Sequence, residues 1–176
     1  GVALVGSIGV QYSDSWGEGD KVKLNGSYFY NDTNTKNKSV LQKWYESPSP
    51  DDYLEQEGES ETRNFNHRFN ARVDWTINKN MSLMSRTNFS FQGNDPYSYR
   101  NGEQWGESGV NILENGTTGN SQAYRFSEFL QYRAKLGKDG RTITVDGRYS
   151  IRSTPESWTN TYSTLKTEFD ENGTPY

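Results

Sequence analysis

Asn64–Ile77, "NFNHRFNARVDWTI", is the stretch on which the fold turns. Phe65, Phe69, Ala71, Val73, Trp75 and Ile77 take every second position, with His67 the one polar interruption. Asn66, Arg68, Asn70, Arg72, Asp74 and Thr76 fill the positions between them. Side chains of a strand point alternately to its two faces, so this period predicts a strand whose faces meet different surroundings. What lies against the apolar face decides everything that follows.

The same pattern recurs in five other runs, which places strands near 3–12, 21–30, 64–77, 81–92, 124–136 and 141–152. Lys21–Tyr30 sets Val22, Leu24, Tyr28 and Tyr30 against Lys21, Lys23, Asn25 and Ser27. Arg141–Arg152 sets Ile143, Val145, Tyr149 and Ile151 against Thr144, Asp146, Arg148 and Arg152. All six runs exceed the five or six residues or so of an ordinary soluble strand and suit the roughly nine to eleven of a membrane barrel strand.

Between the runs, connectors alternate in size. Ser13–Asp20, Asn78–Asn80 and Gly137–Gly140 are short and turn-like, whereas 31–63, 93–122 and 153–176 are long and rich in Gly, Asn, Ser, Asp and Glu. Short turns at one end and long loops at the other describe an up-and-down antiparallel transmembrane barrel with its long loops outside the cell. Ser39–Ser47, "SVLQKWYES", reads as a helical turn or an extra strand within the first long loop.

Composition points the same way. Of 176 residues only 30% are hydrophobic while 14% are aromatic, and the mean hydropathy is −1.05. Aromatic rings with polar handles suit positions that are half apolar and half wet. A net charge of −4 leaves no electrostatic footprint for nucleic acid. No stretch approaches the roughly 20 apolar residues of a membrane helix, so strands would have to carry any crossing. The opening "GVALVGSIGV" lacks the cationic start of a signal peptide, which suggests an internal piece of a longer chain.

The placing of aromatics answers the opening question. Tyr28, Tyr30, Phe65, Phe91 and Tyr124 lie toward the long loops, Tyr12 and Trp75 toward the short turns, with Leu4, Leu24, Ala71, Val73, Leu130 and Val145 between them. That is the order of a lipid band edged by two aromatic girdles. The polar face, with Arg68, Arg72, Asp74, Arg86, Arg125, Arg133, Asp146, Arg148 and Arg152, would then line a wet lumen, where its cations suit an anionic cargo or an acidic plug. A soluble sandwich with the apolar face turned inward is the alternative. Glu128 breaks the pattern, falling in the apolar register between Phe126 and Leu130. Pairing through the turns sets it beside Tyr149 and near Thr87, whose hydroxyls would satisfy it; a β-bulge is the competing account.

"RNFNHRFNARVDWTIN" with "NFSFQGND", "GSIGVQYSDSWGEGDKVKLNGSYFYNDTN" and "GKDGRTITVDGRYS" resemble the barrel region of TonB-dependent outer-membrane transporters of the Bacteroidota. The resemblance runs over essentially the whole chain, in barrel-wall patterns that specify architecture more than cargo. It implies residence in the outer membrane and nutrient import powered through an inner-membrane energy-coupling complex. A plug, the remainder of the barrel and a surface lipoprotein are the implied partners. Six strands are fewer than the roughly eight of the smallest bacterial barrels, so these would form part of a larger wall.

No catalytic chemistry is expected. His67 is the only histidine and shares a face with Phe65 and Phe69, which suits an interfacial ring better than a triad or metal ligand. Without cysteine there is no thiol chemistry. The acidic run Ser47–Glu61 lacks EF-hand spacing and reads as a solvated loop, so neither metal nor cofactor is expected. Trp44, Tyr45, Trp105 and Trp158 lie in the long connectors, where they would stack on a ligand such as a sugar or pack the loops together. Two further readings stay open: a glycan-binding β module, and a structural barrel without transport.

Overall fold

The computed structural model describes residues 1–45, 53–106, 109–137, 140–155 and 157–168. Seven strands follow one another: β1 Val2–Trp16, β2 Val22–Trp44, β3 Tyr53–Asn78, β4 Met81–Gly106, β5 Gly109–Lys135, β6 Thr142–Ser153 and β7 Ser157–Glu168. They form one antiparallel up-and-down sheet in the order β1-β2-β3-β4-β5-β6, with β7 also paired to β5. The sheet is not closed. β6 runs along β5 from Lys135 to Tyr124, and β7 takes over from Ser121 to Val110. The edge chain leaves the ladder after Ser153 and rejoins it at Ser157. Pro155 falls in that interval, on an edge, where a missing N–H costs little.

Local chemistry explains the tight ends. The β1–β2 turn holds Gly17 at φ 88, Gly19 at φ 72 and Asp20 at φ 55, and the Asp20 amide closes it by donating to the Gly17 carbonyl at 3.1 Å. These are left-handed conformations, which glycine adopts freely and aspartate tolerates. At the β3–β4 end the Asn78 side-chain oxygen accepts the Asn80 amide at 2.8 Å, an Asx turn.

At the opposite end the sequence reading needs correction. The stretches 31–63, 93–122 and 153–176, expected as long loops, are strand over most of their described residues. β2 pairs β3 without interruption from Val22↔Trp75 to Trp44↔Tyr53, and β3 stays paired with β4 up to Tyr53↔Trp105. The hairpins therefore continue well beyond the apolar runs. Ser39–Trp44 is strand, as one of the two readings of that stretch had it, and Tyr53–Glu61 of the acidic run is strand too. Residues 46–52, 107–108, 138–139, 156 and 169–176 lie outside the described residues, and with them parts of the expected loops and of the Gly137–Gly140 turn. The cause is physical: backbone pairing needs no apolar residue, and just above Tyr30 the β2 stretch Asn31–Ser39 is polar on both faces. Pro96 sits within β4, and there the β4–β5 ladder skips Asp95 and Pro96 before resuming at Tyr97↔Thr118. Phe65 lies across from Gly93, and Tyr162 from Gly116. Each ring covers the space a side chain would take at that glycine.

No hydrophobic residue among those described is buried. Phe69 and Trp75 are each 44% exposed, so no second layer of described residues seals the apolar face. Among the described residues there is no sandwich core.

Candidate functional site

Register turns the strands into rows, because residues directly opposite across an antiparallel pair share a face. One row of the apolar face reads Val10, Tyr28, Phe69, Phe89, Phe126, Ile151. The next row toward the long hairpins reads Ile8, Tyr30, His67, Phe91, Tyr124, and near the short turns runs Trp16, Val22, Trp75, Leu83, Tyr132, Val145. The seven expected girdle aromatics, Tyr12, Tyr28, Tyr30, Phe65, Trp75, Phe91 and Tyr124, all fall on this one face. Tyr12, however, lies two rows inside the lower edge, level with Gly26 and Ala71. Trp16 and Tyr132 take the edge position instead, Trp16 as the last residue of β1 rather than part of the Ser13–Asp20 connector.

The apolar band shifts across the rows. On β1 it runs from Val2 to Tyr12, and on β6 from Ile143 to Ile151. Between the midpoints of those two runs it shifts by about seven residues, or about 23 Å, over about 24 Å of strand spacing. Most of the climb falls between β1 and β2. From β2 to β6 the midpoint moves by only about two residues, Gly26 lying level with Tyr149 against a β6 midpoint at Gly147, so over those five strands the band runs nearly along the rows. Phe65 to Trp75 spans about 34 Å along β3, which at the roughly 45° strand tilt of membrane barrels projects to about 24 Å.

His67 sits among rings, with its Nδ1 2.8 Å from the Tyr28 hydroxyl and Tyr30, Phe65 and Phe91 at centroid distances of 4.7, 6.0 and 6.1 Å. Glu128 pairs with Thr87 on β4 and Tyr149 on β6, the register that the turns imply. Its oxygens accept hydrogen bonds from Ser85 Oγ at 2.6 Å and Thr87 Oγ1 at 2.5 Å. Ser85, not Tyr149, supplies the second hydroxyl. It sits one row from Thr87 on the same face, so counting by two from Thr87 would have found it.

Above the aromatic edge the same face turns ionic. Arg63 grips the Asp32 carboxylate through Nε at 3.1 and 3.2 Å and Nη2 at 2.6 Å, and Lys36 reaches Glu61 at 3.1 Å. Hydrogen bonding to Arg63 holds the Asp32 carboxyl below its ordinary range. The Asn34 amide and the Lys36 ammonium do the same for Glu61. Higher still, Trp44, Tyr53 and Trp105 are consecutive across β2, β3 and β4, with ring centroids 4.3 Å and 5.3 Å apart. Trp44 and Trp105 thus lie on strands rather than loops, joined through Tyr53, which sequence reasoning passed over. Tyr45 follows β2 with Lys43 Nζ 4.6 Å from its ring centre, and Trp158 stands on the β7 edge opposite Asn120.

The other face carries all nine expected lumen residues. Arg68, Ser90, Arg125 and Arg152 form one row, Arg72, Arg86, Phe129 and Arg148 a second, Asp74 and Asp146 belong to a third, and Arg133 lies one row beyond. Arg72 pairs with Asp74 at 2.7 Å, and Arg148 lies over the Phe129 ring at 5.6 Å. Hollows of about 450 Å³, lined by Arg72 and Arg86, and about 350 Å³, lined by Arg68 and Arg125, open on this face. Among the described residues no group of three or more His, Asp or Glu side chains is gathered as a cation site.

Compared with known proteins, the chain matches no family model and no curated protein.

Proposed function

We propose that these strands are wall and outward-projecting hairpins of an outer-membrane transporter of the TonB-dependent type, one that imports a nutrient ligand. The observation that carries this reading is the continuous apolar band on one face of a single-layered sheet. Its length of about 34 Å on β3, taken at the roughly 45° tilt of such barrels, gives a height of about 24 Å, close to their roughly 25 Å outer band. Lipid then covers the Phe69, Val73 and Trp75 face, and the arginine face lines the lumen.

The partners follow from the edges. An unpaired strand edge in hydrocarbon costs several kcal/mol for each unsatisfied backbone group, so strands beyond these seven close the barrel. On this reading a plug fills the lumen, an inner-membrane energy-coupling complex drives transport, and the long hairpins receive cargo or a surface lipoprotein. The Bacteroidota assignment rests on the sequence resemblance alone.

The aromatic ladder Trp44–Tyr53–Trp105 favours a second reading, a surface β module that stacks sugar rings on its exposed end faces. Trp44 is 70% exposed. Fractionation of the full-length protein separates the two. A transporter wall pellets with outer membranes and stays monodisperse only in detergent. Monodisperse protein in plain buffer rejects the transporter and leaves the glycan module.

A further inference from the structure

We propose that the polar wall carries a binding site for a small solute bearing phosphate or carboxylate groups, formed by Arg68, Arg86, Arg125 and Arg152 around Asn70 and Asn88. The site deepens the transporter reading, since it lies on the face assigned to the lumen.

Its first support is an unfavourable arrangement of charge. Arg125 stands directly opposite Arg152, and Arg72 directly opposite Arg86. Like charges facing each other across an antiparallel pair destabilise it. Among the described residues the ion pair on this face is Arg72 with Asp74. Arg68, Arg86, Arg125 and Arg152 therefore have no described carboxylate within salt-bridge reach, and all four are exposed. A bound oxyanion between the rows turns that repulsion into attraction, because each guanidinium can present two parallel N–H donors to a phosphate or carboxylate.

Shape is the second support. The two hollows adjoin, sharing Asn70 and Asn88 in their linings. Their volumes suit a small molecule. Asn70 Nδ2 donates to Ser27 Oγ at 3.4 Å and Asn88 Nδ2 to Ser127 Oγ at 3.5 Å, both at the long limit of a hydrogen bond. These amides sit level with each other between the two arginine rows, where a small rotation turns their N–H groups onto a ligand. Size decides the occupant: a solute fills the hollows, whereas an acidic protein segment would lie across the whole wall.

Isothermal titration of the full-length protein with pyrophosphate in one arm and citrate in the other tests the site. Saturable binding of either probe is expected, weakening with salt, and the preferred probe tells a phosphate ligand from a carboxylate one. Replacing both Arg68→Gln and Arg125→Gln lowers affinity by about tenfold or more, as expected for lost charge-assisted hydrogen bonds. Arg68→Lys with Arg125→Lys keeps the charge without the fork and gives an intermediate loss, which serves if the Gln variant misfolds. Lys36→Gln, on the opposite face, leaves binding unchanged. Absence of saturable binding by the wild-type protein, the result if protein already covers the wall, overturns the proposal. So does undiminished binding by the double variants, or an equal loss in the Lys36 variant. Membrane fractionation reads the transporter question separately.

Discussion

Glu128 on β5 stands directly opposite Thr87 on β4 and accepts its hydroxyl hydrogen bond at 2.5 Å. With Ser85 on the other oxygen, a carboxylate is held in the middle of the apolar face. If lipid covers that face, removing the carboxylate relieves a cost, whereas removing one hydroxyl leaves the carboxylate less satisfied. Glu128→Leu is therefore expected to be neutral or stabilising, and Thr87→Val to destabilise by about 1–3 kcal/mol. Glu128→Lys is expected to cost about 2–4 kcal/mol, the penalty of a cation near the bilayer midplane. Denaturant titration of refolded protein in lipid vesicles measures all three. Glu128→Leu as the most damaging of the set would refute this account of the patch.

Asp32 and Arg63 give a pH dependence with a definite sign. The guanidinium lowers the Asp32 pKa in the folded state, so the pair's contribution is complete above the ordinary carboxylate value of about 3.9. It is lost as pH falls through the lower folded value. Hydrogen exchange across the β2–β3 rungs at Asp32 and Arg63 is expected to lose protection in strong acid. Asp32→Asn removes part of that loss and leaves the share due to Glu61, whose carboxyl is lowered in the same way. Identical acid profiles for wild type and variant would show that the pair contributes nothing.

The Trp44–Tyr53–Trp105 ladder makes a spectroscopic prediction. Tyr53 is its middle ring, so Tyr53→Ala separates two tryptophans that otherwise couple through it. Near-ultraviolet circular dichroism should lose intensity, and the hairpin ends should lose about 0.5–1.5 kcal/mol for each broken ring pair. Tyr53→Phe should preserve both. A spectrum unchanged by Tyr53→Ala would mean that the rings are not in contact in solution.

How far the sequence could be read depended on where the two faces differ. Along Asn64–Ile77 the alternation of Phe69, Ala71 and Val73 with Asn70 and Arg72 exposes strand, face and register together. Counting back through the turns places Glu128 correctly beside Thr87 and Tyr149. Beyond Tyr30 the signal vanishes: Asn31, Thr33 and Thr35 on one face meet Asp32, Asn34 and Lys36 on the other, and both are polar. Gly93, Asn94, Asp95 and Pro96 read as turn formers for the same reason, although β4 runs through them to Gly106. The arginines could be assigned to a face from sequence. Their direct opposition, Arg125 to Arg152 and Arg72 to Arg86, follows from the same counting through the turns that places Glu128 beside Tyr149. The aromatic ladder escaped because its members lie far apart in the chain, and only the continued β2–β3–β4 pairing aligns them.

Which face meets lipid can be measured directly, since the chain contains no cysteine and single cysteines label cleanly. Nitroxide labels at Asn70, Ala71, Arg72 and Val73, in protein reconstituted into vesicles, report collision with oxygen and with a water-soluble nickel chelate. Ala71 and Val73 are expected to be oxygen-accessible and chelate-protected, and Asn70 and Arg72 the reverse, alternating with period two. Chelate access at Ala71 and Val73 equal to that at Asn70 and Arg72 would contradict a lipid-facing wall.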